Sequence, residues 1–115
     1  MKARIYHNPR CSKSRATLAL LENRGIDLDI VEYLETPPSK DVLLRLLDKL
    51  GLQARDLVRA NEEEFKNSGL SLDAPDDALI DLMTREPKLI QRPIVEAGAR
   101  ARIGRPPEQV LEIIE

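Results

Sequence analysis

Residues 3–24 read Ala3-Arg4-Ile5-Tyr6-His7-Asn8-Pro9-Arg10-Cys11-Ser12-Lys13-Ser14-Arg15-Ala16-Thr17-Leu18-Ala19-Leu20-Leu21-Glu22-Asn23-Arg24, and this stretch decides the fold. Ala3 to His7 alternates weakly between apolar and polar side chains, the pattern of a short strand, and Asn8-Pro9 ends it in a turn. From about Ser12 to Arg24 the spacing is helical, with Leu18 and Leu21 on an inner face, and Gly25 stops the helix at its C′ position. Strand, tight turn and helix in that order set Cys11 at or beside the first residue of a helix.

Working outward, Asp29 to Tyr33 reads as a second strand, which Thr36-Pro37-Pro38 cannot continue because proline lacks the N–H a sheet needs. Ser39 caps an amphipathic helix whose apolar stripe is Val42, Leu43, Leu46, Leu47 and Leu50, and Gly51 ends it. Short helical pieces follow at 54–58, 62–68 and 75–85, the last starting behind Asp73 and stopping before Pro87. Ile94 to Glu96 and Arg100 to Ile103 form a hairpin around Gly98, and Pro106-Pro107 opens a closing helix with Val110, Leu111 and Ile114 inward. A β-α-β unit makes the first two strands parallel, and a short hairpin loop makes the last two antiparallel. The expected fold class is α/β: a thioredoxin-like (glutaredoxin-like) mixed four-stranded sheet, with a helical insert at about 34–89 between the βαβ and ββα halves of one domain spanning residues 1–115.

Composition narrows the function. With 42% apolar and 33% charged residues, 115 residues suffice for one core without metal or disulfide staples. No apolar run is long enough to span a membrane and the first residues lack a signal-peptide stretch, so a soluble cytoplasmic protein is expected. A net charge of −2 and three aromatics, Tyr6, Tyr33 and Phe65, argue against nucleic-acid binding. One cysteine and one histidine exclude an internal disulfide, a Cys-x-x-Cys redox pair and an ordinary zinc site, so no metal is expected. The charge is unevenly spread: residues 1–15 and 87–107 are basic and 62–86 strongly acidic, so basic ends meeting in space would create an anion-attracting field.

The free N–H groups at the start of a helix stabilise a thiolate and hold an anion. His7, Arg10, Lys13 and Arg15 are expected to add positive charge that lowers the Cys11 thiol pKa further. A buried structural cysteine is the plain alternative, but the strand-turn-helix placement favours a nucleophile. Tyrosine-phosphatase-type chemistry is excluded, because the arginine it needs after five intervening residues is Thr17 here. Dithiol exchange is excluded because the second cysteine is replaced by Ser14, whose hydroxyl could serve the thiolate, a bound oxyanion or the helix cap. Arg59, Arg92 and Arg105 each stand at an element end, where permanently charged bidentate guanidinium groups suit a tetrahedral oxyanion. Pro93 opens the third strand, where a thioredoxin-like fold typically has a cis proline against the cysteine.

Four collinear segments carry a resemblance: residues 6–15, Tyr33-Leu34-Glu35-Thr36-Pro37-Pro38, Arg92-Pro93-Ile94-Val95 and Gly104-Arg105-Pro106-Pro107. Together they resemble the glutaredoxin-coupled ArsC arsenate reductases, in a short branch whose chain ends directly after the last helix. The resemblance implies that Cys11 is the nucleophile, that Arg59, Arg92 and Arg105 hold the oxyanion and that His7 and Ser14 tune the thiolate. It also implies arsenate as substrate, glutathione as co-substrate, glutaredoxin as partner and no bound cofactor; a monomer is expected. Two other readings stay open at this level: an Spx-type regulator that binds RNA polymerase, whose redox-sensing members need the Cys-x-x-Cys that Ser14 removes, and a monothiol thiol-transferase acting on glutathione mixed disulfides.

Overall fold

In the computed structural model, which describes residues 1–114, the four strands are β1 (Lys2–His7), β2 (Asp27–Glu32), β3 (Ile94–Ala97) and β4 (Arg100–Ile103). They form one mixed sheet in the order β2-β1-β3-β4, with β1 parallel to β2, and β3 antiparallel to both β1 and β4. This is the thioredoxin-like arrangement expected from the element order. The chain divides into two compact units, one made of Met1–Thr36 with the segment from Arg92 onward, the other of Pro37–Gln91.

The first unit holds the sheet, helix α1 (Ser12–Asn23) and a closing 3-10 helix (Pro107–Ile113). Its core joins Ala3, Ile5, Leu21, Val95, Ala97, Val110, Ile113 and Ile114, with Leu18, Ile26 and Leu28 packed at its margin. Ile5 and Val95 are opposed across β1 and β3 and are fully buried. Each such side chain contributes about 1.5–3 kcal/mol by leaving water. Central β1 is buried along its second half, whereas β2 is an edge strand with Asp27, Asp29, Ile30 and Glu32 exposed. Glu96, a buried carboxylate on β3, accepts a hydrogen bond from the Tyr6 hydroxyl at 3.3 Å and has Arg4 Nη1 at 3.9 Å, so its charge is not left uncompensated.

Several boundaries differ from those read in the sequence. The second strand is Asp27–Glu32 rather than Asp29–Tyr33, because pairing begins opposite Lys2 and ends opposite His7. Tyr33 and Leu34 instead enter a turn in which the N–H groups of Glu35 and Thr36 both bond the Glu32 carbonyl. The unit that holds the remaining helices spans Pro37–Gln91. The inner face of α1 is Ser14, Thr17 and Leu21, with Leu18 only half-buried. The closing element winds as a 3-10 helix, which turns Ile113 inward beside Val110 and leaves Leu111 half-buried.

The second unit is helical: α2 (Lys40–Leu50), α3 (Ala54–Leu57), α4 (Glu63–Asn67) and α5 (Asp76–Arg85), then a 3-10 turn at Pro87–Leu89. Ser39 caps α2, its side chain accepting from the Val42 N–H at 3.3 Å, and Gly51 closes it at φ 70°, a left-handed conformation that glycine adopts without Cβ strain. Pro75, not Asp73, occupies the cap position of α5, which packs on α2 and α3. Leu43, Leu46, Leu57, Leu79, Met83 and Leu89 are fully buried there.

Candidate active site

Cys11 is the N-cap of α1, with extended backbone at φ −95° and ψ 123°, and its side chain makes no cap hydrogen bond. The turn that delivers it is built by Asn8. The Asn8 carbonyl accepts from the Cys11 N–H at 3.0 Å, and its Oδ1 accepts from the Arg10 N–H at 3.0 Å. Asn8 is buried, and beyond the turn that the Asn-Pro pair predicts, its side chain clamps that turn through an Asx bond to the Arg10 N–H. The first turn of α1 contains no acid, so nothing there offsets the positive end of the helix.

Burial is the largest single influence on the Cys11 thiol and pushes its pKa up. The Ser14 backbone N–H, the Arg92 guanidinium and the Lys13 backbone N–H outweigh it, and the net result lies below the ordinary thiol value. The source of the shift differs from the sequence expectation. Arg10, Lys13 and Arg15 point their chains into solvent, and Arg15 bonds the Pro9 carbonyl at 2.9 Å. Backbone donors and Arg92 do the work that those three side chains and His7 were expected to do.

His7 supplies no positive charge. It is buried, and burial dominates in lowering its pKa, opposed by Glu32 and Glu22 and assisted by Arg15, so the ring is neutral near pH 7. Its Nδ1 lies 2.7 Å from Ser14 Oγ, which also accepts from the Asn8 N–H at 3.0 Å. A hydroxyl has one proton to give. With Ser14 fully buried, the arrangement that satisfies both groups has the Ser14 O–H donating to Nδ1. The Ser14 hydroxyl thus faces His7, and it is the Ser14 backbone N–H, not the hydroxyl, that helps lower the thiol pKa.

Arg92 and Arg105 arrive from the β3 and β4 ends of the same unit. Arg105 Nη2 is 3.9 Å from Cys11 Sγ, and its Nε donates to the Arg92 carbonyl at 2.8 Å, tying the two arginine-bearing segments together. The Arg92–Pro93 peptide bond is cis, and so is Arg105–Pro106, which the sequence reading did not single out. The basic ends converge only in part. Arg4 is engaged with Asp29 at 2.7 Å and Arg102 with Glu112 at 2.9 Å, leaving Arg92 and Arg105 as the cations against the thiol.

Arg59 belongs to the helical unit. It follows the Val58–Ile90 bridge, its N–H bonds the Leu89 carbonyl at 2.6 Å, and its Nη2 lies 3.4 Å from Glu62, which also meets Lys88 at 3.4 Å. Its Nε is buried with no hydrogen-bond partner among the described residues. The described residues contain no group of three or more side chains that could hold a metal ion, and no helix long and apolar enough to cross a membrane.

A mixed four-stranded sheet that sets one cysteine at a helix start, with Arg105 Nη2 at 3.9 Å and Arg92 acting on the same thiol, defines a thioredoxin-like protein built around a single thiol. The ArsC family model matches residues 6–113. Among curated proteins the chain is 51% identical over 115 residues to the uncharacterized protein YfgD of Escherichia coli strain K12, covering 98% of this chain and 97% of that protein. It is 47% identical over 111 residues to an arsenate reductase of the same strain, covering 96% of this chain and 79% of that one. A solved structure described as an arsenate reductase from Vibrio cholerae superposes with a TM-score of 0.93 at 56% identity, covering 99% of this chain and 98% of that one. The chain belongs to the ArsC family and is an enzyme of the oxidoreductase class.

Proposed function

We propose that this ArsC-family enzyme is an arsenate reductase that works through a covalent Cys11–arsenate adduct resolved by glutathione and glutaredoxin. The observation that carries the reading is Cys11 at the α1 N-cap, its thiol acidified by backbone N–H groups and Arg92, with Arg105 at 3.9 Å. The thiolate attacks arsenic and displaces one oxygen ligand as water, forming the S–As bond. Arg59, Arg92 and Arg105, the residues the family resemblance points to, balance the charge that gathers on the arsenate oxygens. Glutathione then attacks the adduct, and two thiols supply the two electrons that take arsenic from the +5 to the +3 state. Arsenite leaves, and Cys11 is left in a mixed disulfide that glutaredoxin reduces. His7 orients Ser14, and Ser14 presents its backbone N–H to the sulfur.

A chain with one cysteine has no internal resolving thiol, which supports an external one. The reading carries with it a monomer in the reducing cytoplasm that uses glutathione as co-substrate and needs no metal. The names of the arsenate reductases from Escherichia coli and Vibrio cholerae support arsenate as the oxyanion. The test is arsenite production from arsenate with glutathione, with and without glutaredoxin, beside Cys11→Ser. Arsenite is expected only with the intact thiol and the full reductant. Arsenite no higher than the Cys11→Ser background overturns the reading. Arg59→Ala and Arg92→Ala should raise the arsenate KM while Cys11 still alkylates, and unchanged kinetics in both would remove the arginines from the oxyanion role.

A further inference from the structure

The five glycines fall into two kinds. Gly25, Gly51, Gly69 and Gly98 have positive φ and open space where a Cβ would stand. Gly104 is the opposite: its φ lies outside the positive region, but a Cβ there would come within 2.5 Å of Thr17 Oγ1, 2.9 Å of Pro93 Cγ and 3.3 Å of Pro93 Cδ. Backbone freedom explains the first four, whereas only close approach explains the fifth.

The groups it approaches are held. Thr17 is fully buried on α1 and its Oγ1 donates to the Lys13 carbonyl at 2.8 Å. Pro93 is buried, and its carbonyl accepts from the Gly104 N–H at 2.9 Å. Immediately beyond Gly104, Arg105 reaches Cys11 Sγ at 3.9 Å and bonds the Arg92 carbonyl at 2.8 Å. Immediately before Pro93, Arg92 bears on the same sulfur. Helix α1, Pro93 and Gly104 thus interlock at the point from which both arginines depart, and α1 is the helix whose N-cap is Cys11.

We propose that the Gly104–Thr17 contact is the positioning device of the site, setting how near Arg92 and Arg105 stand to Cys11. The proposal rests on the reading of those arginines as oxyanion-holding groups. Ordinary van der Waals contact begins near 3.4 Å, so relieving a 2.5 Å approach requires a shift of about 1 Å. Arg105 reaches the sulfur at the outer limit of a hydrogen bond, and a shift of that size removes the contact. Misplacement by about 1 Å can cost on the order of 100-fold in rate.

The experiment compares Gly104→Ala, Thr17→Ala and the double variant in the full chain. For Gly104→Ala the expectation is a raised arsenate KM, kcat/KM lower by about 10- to 100-fold, and a Cys11 alkylation midpoint moved up in pH towards that of an ordinary thiol. Thr17→Ala removes the nearer obstruction, the hydroxyl, and leaves only the Pro93 Cγ approach at 2.9 Å, so the double variant should recover part of both readouts. Wild-type KM and midpoint in Gly104→Ala, or a double variant no better than the single, overturns the proposal. Should Gly104→Ala alone fail to fold, the double variant decides: recovery of the fold on removing the Thr17 hydroxyl supports the contact, and an unfolded double variant overturns it. The alkylation midpoint is read without arsenate, so a chain that turned over no arsenate would sink the proposed function and still leave this contact tested.

Discussion

Replacing Ser14 by alanine separates the two places its hydroxyl could act. In the folded protein that hydroxyl accepts from the Asn8 N–H at 3.0 Å and pairs with His7 Nδ1 at 2.7 Å, and all three residues are buried. Ser14→Ala leaves an N–H and a ring nitrogen without their partner. Each unsatisfied buried group costs about 1–3 kcal/mol, and alanine regains up to roughly 0.5 kcal/mol in helix propensity. The expected loss is about 2–5 kcal/mol, read as a urea midpoint lower by about 1–3 M at unchanged slope. The Ser14 backbone N–H that lowers the thiol pKa survives the substitution. The alkylation midpoint of Cys11 should therefore move by less than about half a unit. A hydroxyl bonded to the thiolate itself would contribute about 1.5–3 kcal/mol, or roughly one to two pH units. A midpoint raised by a full unit with stability unchanged would refute the assignment of the hydroxyl to His7.

Two further outcomes are expected. Burial holds the His7 pKa below that of the unfolded chain, so the unfolded state binds more protons as pH falls through about 6.5; the protein should lose stability there more steeply than a His7→Gln variant, and equal slopes between pH 7 and 5.5 would count against a neutral buried His7. Ser39→Ala removes the cap of α2 and should cost about 1 kcal/mol in chemical denaturation without changing Cys11 alkylation; an unchanged denaturation midpoint, or a shifted thiol midpoint, would count against a purely local capping role.

Much of the fold was legible because it rests on short-range signals. Asn8-Pro9, Gly25, Ser39 and Gly51 each impose a local geometry whatever surrounds them, and β1, α1, α2 and α5 form within a few residues of where periodicity places them. The misjudged boundaries are those that a partner strand or a packing surface decides. The second strand begins at Asp27 because Lys2 stands opposite it, and nothing within residues 27–33 marks that register. The closing segment winds as a 3-10 helix under Pro106-Pro107, a choice that helical spacing of Val110 and Leu111 does not disclose.

By itself the sequence determined that one thiol opens a helix behind a strand, that this sequence holds no second cysteine beside it, and that three arginines stand at element ends. Tertiary structure decided what each group does. It withdrew His7 from the charged set, because burial penalises the imidazolium, and turned the Ser14 hydroxyl from the sulfur to the ring. It engaged Arg4 and Arg102 elsewhere and brought Arg92 and Arg105 to Cys11 from 81 and 94 positions away in the chain. Only packing could show that Gly104 is a glycine for want of room, since the spacing between an absent Cβ and a threonine on another element is not a property of either local sequence.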